Sequence, residues 1–366
     1  AAVGGALLYV RYYPWKVESL RDVRPPQVAT GGSSRVELSV RNTHARPSPV
    51  LSARDPFDNG RRWARFYIAP LEPGELVRAA YRLPTAERGI FPLGPLEIGV
   101  SDPFALAERV IPAAPLATLT VFPRVDELRP LPQGRSANPT GVSSKPAVGA
   151  GGEDFYALRS YEVGDDLRRV HWASTARKDE LMIRQDEMPW QARVTVLADL
   201  RAGVHTPASV ELALSAVASI VRSSILDGRQ VRLLATDGTD TGFGAGQPRL
   251  RSVLEYLAGA HTHPGTTLAA GLSPLARDRD HSGLAVVTTE LSSDADLAAI
   301  VRLASRYSSE ALVVFRRSSW DGSAGPPEHT GRRVRRGTIA VSAGLPFADA
   351  WNRAMMSPLS SAGSRR

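Results

Sequence analysis

The side chains best able to do chemistry are concentrated in "GGEDFYALRSYEVGDDLRRVHWASTARKDELMIRQ", residues 151–185. One histidine, His171, stands among acids. Paired with Glu153, Asp154 or Asp165, it could serve as a general base oriented by a carboxylate. Ser174 or Thr175 would then be the nucleophile. The strained G-x-S-x-G elbow that exposes a hydrolase serine is absent, and a histidine and a serine at helical spacing are by themselves weak grounds for catalysis. The pair His261 and His263 in "HTH" could ligate a metal, but the dipeptide spacing falls in an expected loop. With no cysteine in the chain, thiolate nucleophiles, thiolate metal sites and disulfides are excluded.

The same stretch also reads as a structural joint. Gly164 suits a tight turn, and Asp165 or Asp166 then stands where a helix wants its N-cap. Leu167, Val170, His171 and Ser174 follow at the spacing of one helix face. Arg168 and Trp172 lie four apart, so a guanidinium could rest on an indole. Glu162, Asp165 and Asp166 alternate with Arg159, Arg168, Arg169 and Arg177, enough opposite charge for a paired network. Tyr156, Tyr161, Trp172 and the arginines, Arg184 in "LMIRQ" among them, are residue types enriched in binding hot spots. The reading is a rigid joint that presents a docking surface, with no catalytic residue assigned.

The elements around it imply two folded units. Residues 23–125 alternate in short strands broken by Pro and Gly; Val36, Leu38 and Val40 mark one face of the first, and the whole suggests an antiparallel β-sandwich. Residues 126–152 are rich in Gly, Pro and Ser and read as a linker or mobile loop. The signature stretch occupies 153–190. From 191 to 355, apolar strands (192–199, 230–236, 283–291, 310–317) alternate with amphipathic helices (209–226, 250–259, 294–307). That pattern implies a mainly parallel sheet covered by helices, hence an α+β multidomain chain. A short helix over "FADAWNRAMM" closes the domain, and 356–366 is a disordered tail.

At 366 residues, 43% hydrophobic and 22% charged, the chain has the composition of a folded protein. Its net charge of +8 raises the question of nucleic acid. The basic residues are nearly all arginine and are dispersed, the nearest thing to a patch being "GRRVRR" (331–336), so no specific nucleic-acid partner is expected. The chain opens "AAVGGALLYVRYYPWKVE" without Met and is expected to be a fragment or processed form. Residues 1–10 are too short to span a bilayer. The aromatics and basic residues that follow are what ends a membrane helix at the cytoplasmic interface. Residues 1–22 are therefore read as the end of a membrane anchor, with the soluble part facing the cytoplasm; the alternative is an ordinary hydrophobic strand.

"RGIFPLGPLEIGVSDPFAL" (88–106) and the 151–185 stretch together resemble the signature segments of a bacterial family, the domain of unknown function numbered fifty-eight. The resemblance implies N-terminal membrane helices, a β-sandwich, the signature segment and a von Willebrand factor A-like α/β domain. It implies no enzyme activity and no cofactor. The partners it implies are a MoxR-type AAA+ ATPase and a transglutaminase-like membrane protein. A von Willebrand A-like domain often holds Mg²⁺ through Asp-x-Ser-x-Ser, a Thr and an Asp, all hard oxygen ligands. Here Asp199 matches, but Arg201 and Gly203 replace the serines, Thr266 (or Thr267) takes the threonine position and Glu290 the last acid. The expectation is a degenerate site in which Arg201 replaces the metal by pairing with Asp199 or Glu290. The functional expectation is a non-enzymatic, membrane-associated adaptor. The alternatives are a hydrolase built on His171 and a weak nonspecific nucleic-acid binder.

Overall fold

The computed structural model describes residues 2–104, 106–132, 157–161, 170, 172–178, 180–185, 192–264, 268–276, 283–289, 294–316, 319–320 and 338–356. A short helix α1 (Ala2–Tyr12) leads into strands β1 (Val17–Arg24), β2 (Gln27–Ala29), β3 (Ser34–Asn42), β4 (Leu51–Phe57) and β5 (Arg62–Ile68). Then come β6 (Leu76–Leu83), β7 (Gly89–Leu93), β8 (Leu96–Ser101), β9 (Glu108–Ala114) and β10 (Ala117–Phe122). They form a three-stranded sheet, β1-β3-β6, and a larger one ordered β2-β10-β7-β4-β8-β9 with β5 on β4. The period-2 alternation of β3 buries Val36, Leu38 and Val40 against Leu51, Ile98 and Leu119 of the facing sheet. Sheet formation begins at Val17, inside the segment read as the anchor's end.

One buried polar tie crosses between the sheets. Arg21 on β1 donates to Asp55 on β4 at 2.6 Å, and the Tyr81 hydroxyl on β6 donates to the other Asp55 oxygen at 2.5 Å. Burial, then the Asp55 carboxylate, push the Tyr81 phenol well above its ordinary pKa. Gly94 makes room for this arginine. A Cβ there would lie 2.5 Å from the Arg21 guanidinium, and its φ of +88° favours glycine in any case.

After β11 (Ala157–Ser160), α2 (Trp172–Lys178) and β12 (Met182–Gln185), which pairs antiparallel with β11, the second unit begins. It contains β13 (Arg193–Ala198), α3 (Pro207–Leu226), β14 (Gln230–Ala235), α4 (Gly246–Gly259), α5 (Leu268–Ala276) and β15 (Gly283–Thr289). α6 (Asp294–Ala304), β16 (Ser309–Phe315), β17 (Thr338–Val341) and α7 (Phe347–Met356) complete it. The sheet order is β14-β13-β15-β16-β17, every pair parallel. Alternate strand residues feed two cores: Val194, Val196, Leu233 and Val287 pack on α3, α4 and α7, while Leu197, Leu234, Leu284 and Val286 pack on α5 and α6. Strands buried on both faces are why these segments read as continuous apolar runs. Among the described residues, α3 is the one helix long and apolar enough to cross a membrane, and 67% of that window is buried. It lies on β13 and β15 as a core helix. α5 and β17 are additions to the expected elements, the first carrying Pro274 within it and the second only four residues long.

The expected linker is in part a docked strap. Serines 215, 219 and 223 recur every fourth residue along α3 and hold it. Ser215 donates to the Arg124 carbonyl (2.7 Å), Ser219 accepts from the Asp126 N–H (2.9 Å), and Ser223 donates to the Leu128 carbonyl (3.1 Å). From α7, the Trp351 indole donates to the Arg129 carbonyl at 2.8 Å, and Asn352 accepts the Arg129 N–H at 2.8 Å. Leu131 enters the α/β core at 1% exposure. A Pro- and Gly-rich composition reads as a linker because it lacks periodicity, yet an extended strap needs none.

Arg88 makes a further junction. Its buried guanidinium donates to both Glu211 oxygens on α3, at 2.8 and 3.0 Å, and to the carbonyls of Leu257 (2.8 Å) and Ala258 (3.1 Å). A cation at the C-terminal carbonyls of α4 satisfies orphan acceptors and complements the helix dipole.

Candidate functional site at the strand ends

The chain moves from β13 outward to β14, then returns to the other side of β13 for β15. In open parallel sheets the crevice beyond the strand ends at such a reversal is where ligands bind. Here that place is filled by protein. Asp199, one residue past β13 with its side chain wholly buried, forms a two-pronged bond with Arg201: Nε to Oδ1 at 2.9 Å and Nη2 to Oδ2 at 2.7 Å. The Arg201 main-chain N–H adds a third contact to Oδ1 at 3.2 Å, and the Thr288 hydroxyl on β15 donates to Oδ2 at 2.7 Å. The remaining guanidinium nitrogen, Nη1, donates to Asp296 Oδ2 at 3.0 Å. Asp296 lies in the first turn of α6, where a carboxylate is favoured by the helix dipole. Burial opposes the Arg201 charge, but the hydrogen bonds and charges of Asp199 and then Asp296 outweigh it and hold the group above its ordinary pKa.

Around this cluster the 199–206 turn is locked. His205 Nε2 donates to the Asp199 carbonyl at 2.6 Å, and its Nδ1 accepts from the Thr289 hydroxyl at 2.9 Å. Burial, assisted by the Arg201 charge, keeps the His205 pKa below its ordinary value, which favours the neutral ring this pattern requires. Thr206 and Ser209 form a reciprocal capping box on α3, with Pro207 at its first turn. The Leu200 N–H donates to Thr236 at 2.8 Å, and Thr236 meets His263 Nε2 at 3.1 Å. His263 is thereby part of the scaffold that ties the 261–263 loop to the site; the Ala202 N–H also donates to its carbonyl at 3.0 Å.

The arrangement supports rigidity better than acyl transfer. Ser209 lies 3.4 Å from His205 Nδ1, but it is fully buried and committed to the capping box. The expected Arg201–Asp199 pairing is present in the geometry. The other expected partner, Glu290, lies outside the described residues, as do Thr266 and Thr267. Asp296, His205, Thr288 and Thr289 were not anticipated. The signal available for Asp296 was an acid at a helix start in "SSDADLAAI", and for His205 its place immediately before an N-cap threonine.

The signature stretch is only partly described. Gly164, Asp165, Asp166, Arg168 and His171 lie outside the described residues, and the side chains of Arg159 and Arg184 do too. Arg159 and Arg184 fall on the paired strands β11 and β12, in adjacent registers. Helix α2 begins at Trp172, and Val170 lies outside it in an isolated β-bridge. Val170 is thus not on the helix face expected of it, a β-branched residue taking part in strand pairing, which it favours. Trp172 is 69% exposed, Arg177 is exposed, and Tyr161 is half-buried, its N–H bonded to the Leu181 carbonyl. Thr175 accepts the Met182 N–H at 3.0 Å, so the candidate nucleophile ties α2 to β12. Among the described residues, no group of three or more His, Asp or Glu side chains is placed to hold a metal ion.

A helix-covered parallel sheet with an ion cluster at its reversal point, strapped to a β-sandwich, defines a two-unit α+β protein whose α/β part carries a closed strand-end site. Residues 157–315 match the family model described as "Protein of unknown function DUF58", a match that supports that family for this segment. No curated protein matches. Among solved structures, about 29% of the chain resembles the CARDB domain of the PF1109 protein from Pyrococcus furiosus, a complex with di-metal ions, at 14% identity, 93% coverage of that chain and a TM-score of 0.24. The putative ApaA protein from Bordetella pertussis is similar over 30% of this chain and 95% of its own, at 17% identity and a TM-score of 0.23. Likenesses this slight carry no ligand or activity across.

Proposed function

We propose that this chain is a membrane-associated, non-enzymatic docking module whose von Willebrand factor A-like α/β domain works without a divalent cation. The observation that carries the proposal is the Arg201 guanidinium held by Asp199 and Asp296. A Mg²⁺ ion needs carboxylate and hydroxyl oxygens free to point at it. Here both Asp199 oxygens are taken by Arg201 and Thr288, and a fixed cation stands where the ion would have to go, so the residues do not fit a metal. Such a domain binds its partner through side chains alone. The exposed Trp172, with Arg177 on the same helix, supports the signature segment as the contact surface.

By family resemblance the partner is a MoxR-type AAA+ ATPase at the cytoplasmic face, with a transglutaminase-like membrane protein as a further associate. Crosslinked capture from native membranes, with and without ATP, tests this directly. Nucleotide-dependent recovery of such an ATPase, lost in Trp172→Ala without a change in melting temperature, is the expected result. Unaltered capture by the variant would remove the docking surface, and saturable stoichiometric Mg²⁺ or Mn²⁺ binding in calorimetry would overturn metal independence.

A further inference from the structure

The β8–β9 turn and helix α1 converge on one apolar surface. Residues 2–10 of α1, "AVGGALLYV", contain no charged side chain. Ala6 and Val10, one turn apart, are buried, and α1 packs on β9. Val3, Leu7 and Leu8 point elsewhere, each more than half exposed. A helix apolar on all sides, with protein covering only one, requires an apolar medium on the others.

The turn beside it offers more apolar surface of the same kind. Phe104 is 80% exposed and Leu106 also stands out. The turn presenting them is firmly built: Asp102 Oδ1 accepts the Phe104 N–H at 2.9 Å, Oδ2 accepts the Ala107 N–H at 2.6 Å, and the Asp102 N–H donates to the Ala107 carbonyl at 3.1 Å. Its place beside α1 is marked twice. Burial, then Tyr13 and the Asp102 charge, hold the Tyr9 phenol above its ordinary pKa, and Arg109, just after the turn, donates to the Arg11 carbonyl at the end of α1 at 3.4 Å. The turn therefore stands level with the C-terminal half of the helix, and the rest of α1 runs on beyond it.

The charge around this surface is positive. Arg11, Lys16 and Arg109 are exposed; of the nearby acids Asp102 is engaged within its turn and Glu108 with Arg54, which leaves the exposed Glu18 against three basic residues. Tyr12, Tyr13 and Trp15 complete the aromatic and basic set that settles at headgroup depth.

From this juxtaposition we infer that Phe104 and Leu106 form a second membrane contact, inserting at the interface of an anionic bilayer beside α1 and fixing the tilt of the sandwich on the membrane. The inference rests on α1 being in the membrane, as proposed above, and adds a contact that α1 does not require. A protein held only through a helix is free to swivel about it; one held at two points is not.

The absence of cysteine allows unique labelling. In the full chain, Phe104→Cys, Leu106→Cys, Leu8→Cys and, as a control on the exposed end of α3, Leu226→Cys are each labelled with an environment-sensitive NBD probe. Each is reconstituted in phosphatidylglycerol/phosphatidylcholine vesicles containing shallow doxyl-labelled lipid. The expected result is blue-shifted, quenched emission at positions 8, 104 and 106, and water-like, unquenched emission at 226. Quenching at 104 and 106 should weaken in pure phosphatidylcholine, each basic residue contributing roughly a fivefold gain in surface affinity on anionic lipid. Lipid contact at 8 with water-like emission at 104 and 106 overturns this inference and leaves the anchor standing. No lipid contact at any site overturns both. A blue shift at 104 without doxyl quenching assigns the turn to a protein partner and likewise overturns it, and equal quenching in neutral vesicles removes the role of the basic rim.

Discussion

Replacing Arg201 by alanine removes one guanidinium from between two carboxylates. Asp199 then keeps only the Thr288 hydroxyl and a main-chain N–H, in a site where its side chain has no solvent exposure. Breaking a buried ion pair from one side costs about 3–5 kcal/mol, because the abandoned charge cannot be solvated. For an α/β unit of this size, that corresponds to a fall in Tm of roughly 6–20 °C. The deficit should depend on pH. The buried charge is paired best when both groups are ionised, so the comparison with the parent is made at neutral and at acid pH. The variant Arg201→Ser goes further, since it opens the site and supplies a hydroxyl at the same time. Mg²⁺ should then stabilise it, by about 2.7 kcal/mol at a free concentration of about 100 Kd, while leaving the parent protein unmoved. Thermal melts of the three proteins across pH, with and without Mg²⁺, read all of this. An Arg201→Ala protein as stable as the parent at neutral pH, or a parent protein stabilised by Mg²⁺ as much as Arg201→Ser, would refute the argument.

Arg88→Ala should loosen the two units from each other. Glu211 is half exposed and contributes little, but two helix-terminal carbonyls lose a charged donor, and the cost is about 1–3 kcal/mol; calorimetry should resolve one transition into two. His205 has a folded pKa below its unfolded value, so its contribution is complete above about 6.5 and is lost as pH falls through the folded pKa. His205→Gln should flatten the acid side of the Tm–pH curve, and an unchanged slope would show the ring is not buried neutral. Ser219→Val leaves the Asp126 N–H without its acceptor, at about 1–3 kcal/mol. Hydrogen exchange should report a faster amide at Asp126, with protection in β13 unchanged.

Elements with a strong period were legible in the residues. The apolar runs of β13, β14, β15 and β16 and the amphipathic spacing of α3, α6 and α7 all lie within a few residues of where the pattern puts them, because burial on one or both faces writes itself into the order of side chains. Asp199 and Arg201 were legible for a different reason: the resemblance to a von Willebrand A-like domain sets them at its Asp-x-Ser-x-Ser positions, just after the first strand. Asp296 was not, since nothing local says that the start of α6 returns to that end; only the crossover of the chain does. The strap was misread on composition. Its three anchoring serines were visible as a four-residue period in α3, but a small polar stripe on an apolar helix looks the same whether it meets water or a passing chain. In the signature stretch the helical spacing around Trp172 was legible, while the pairing of β12 with β11 and the bridge at Val170 depend on context.

The strap also orders events during synthesis. Residues 124–131 leave the ribosome before any strand of the α/β sheet, yet their seat is completed by α7, and the bond between Arg129 and Trp351 spans 222 residues. Closing a loop of that length is entropically costly and comes late. Until α7 emerges, Leu131 has no finished core to enter and the serines of α3 face an unsecured segment. The nascent chain would therefore hold a folded sandwich and an unsealed α/β unit side by side until α7 is made, and a chaperone acting on this protein would find its target in that interval.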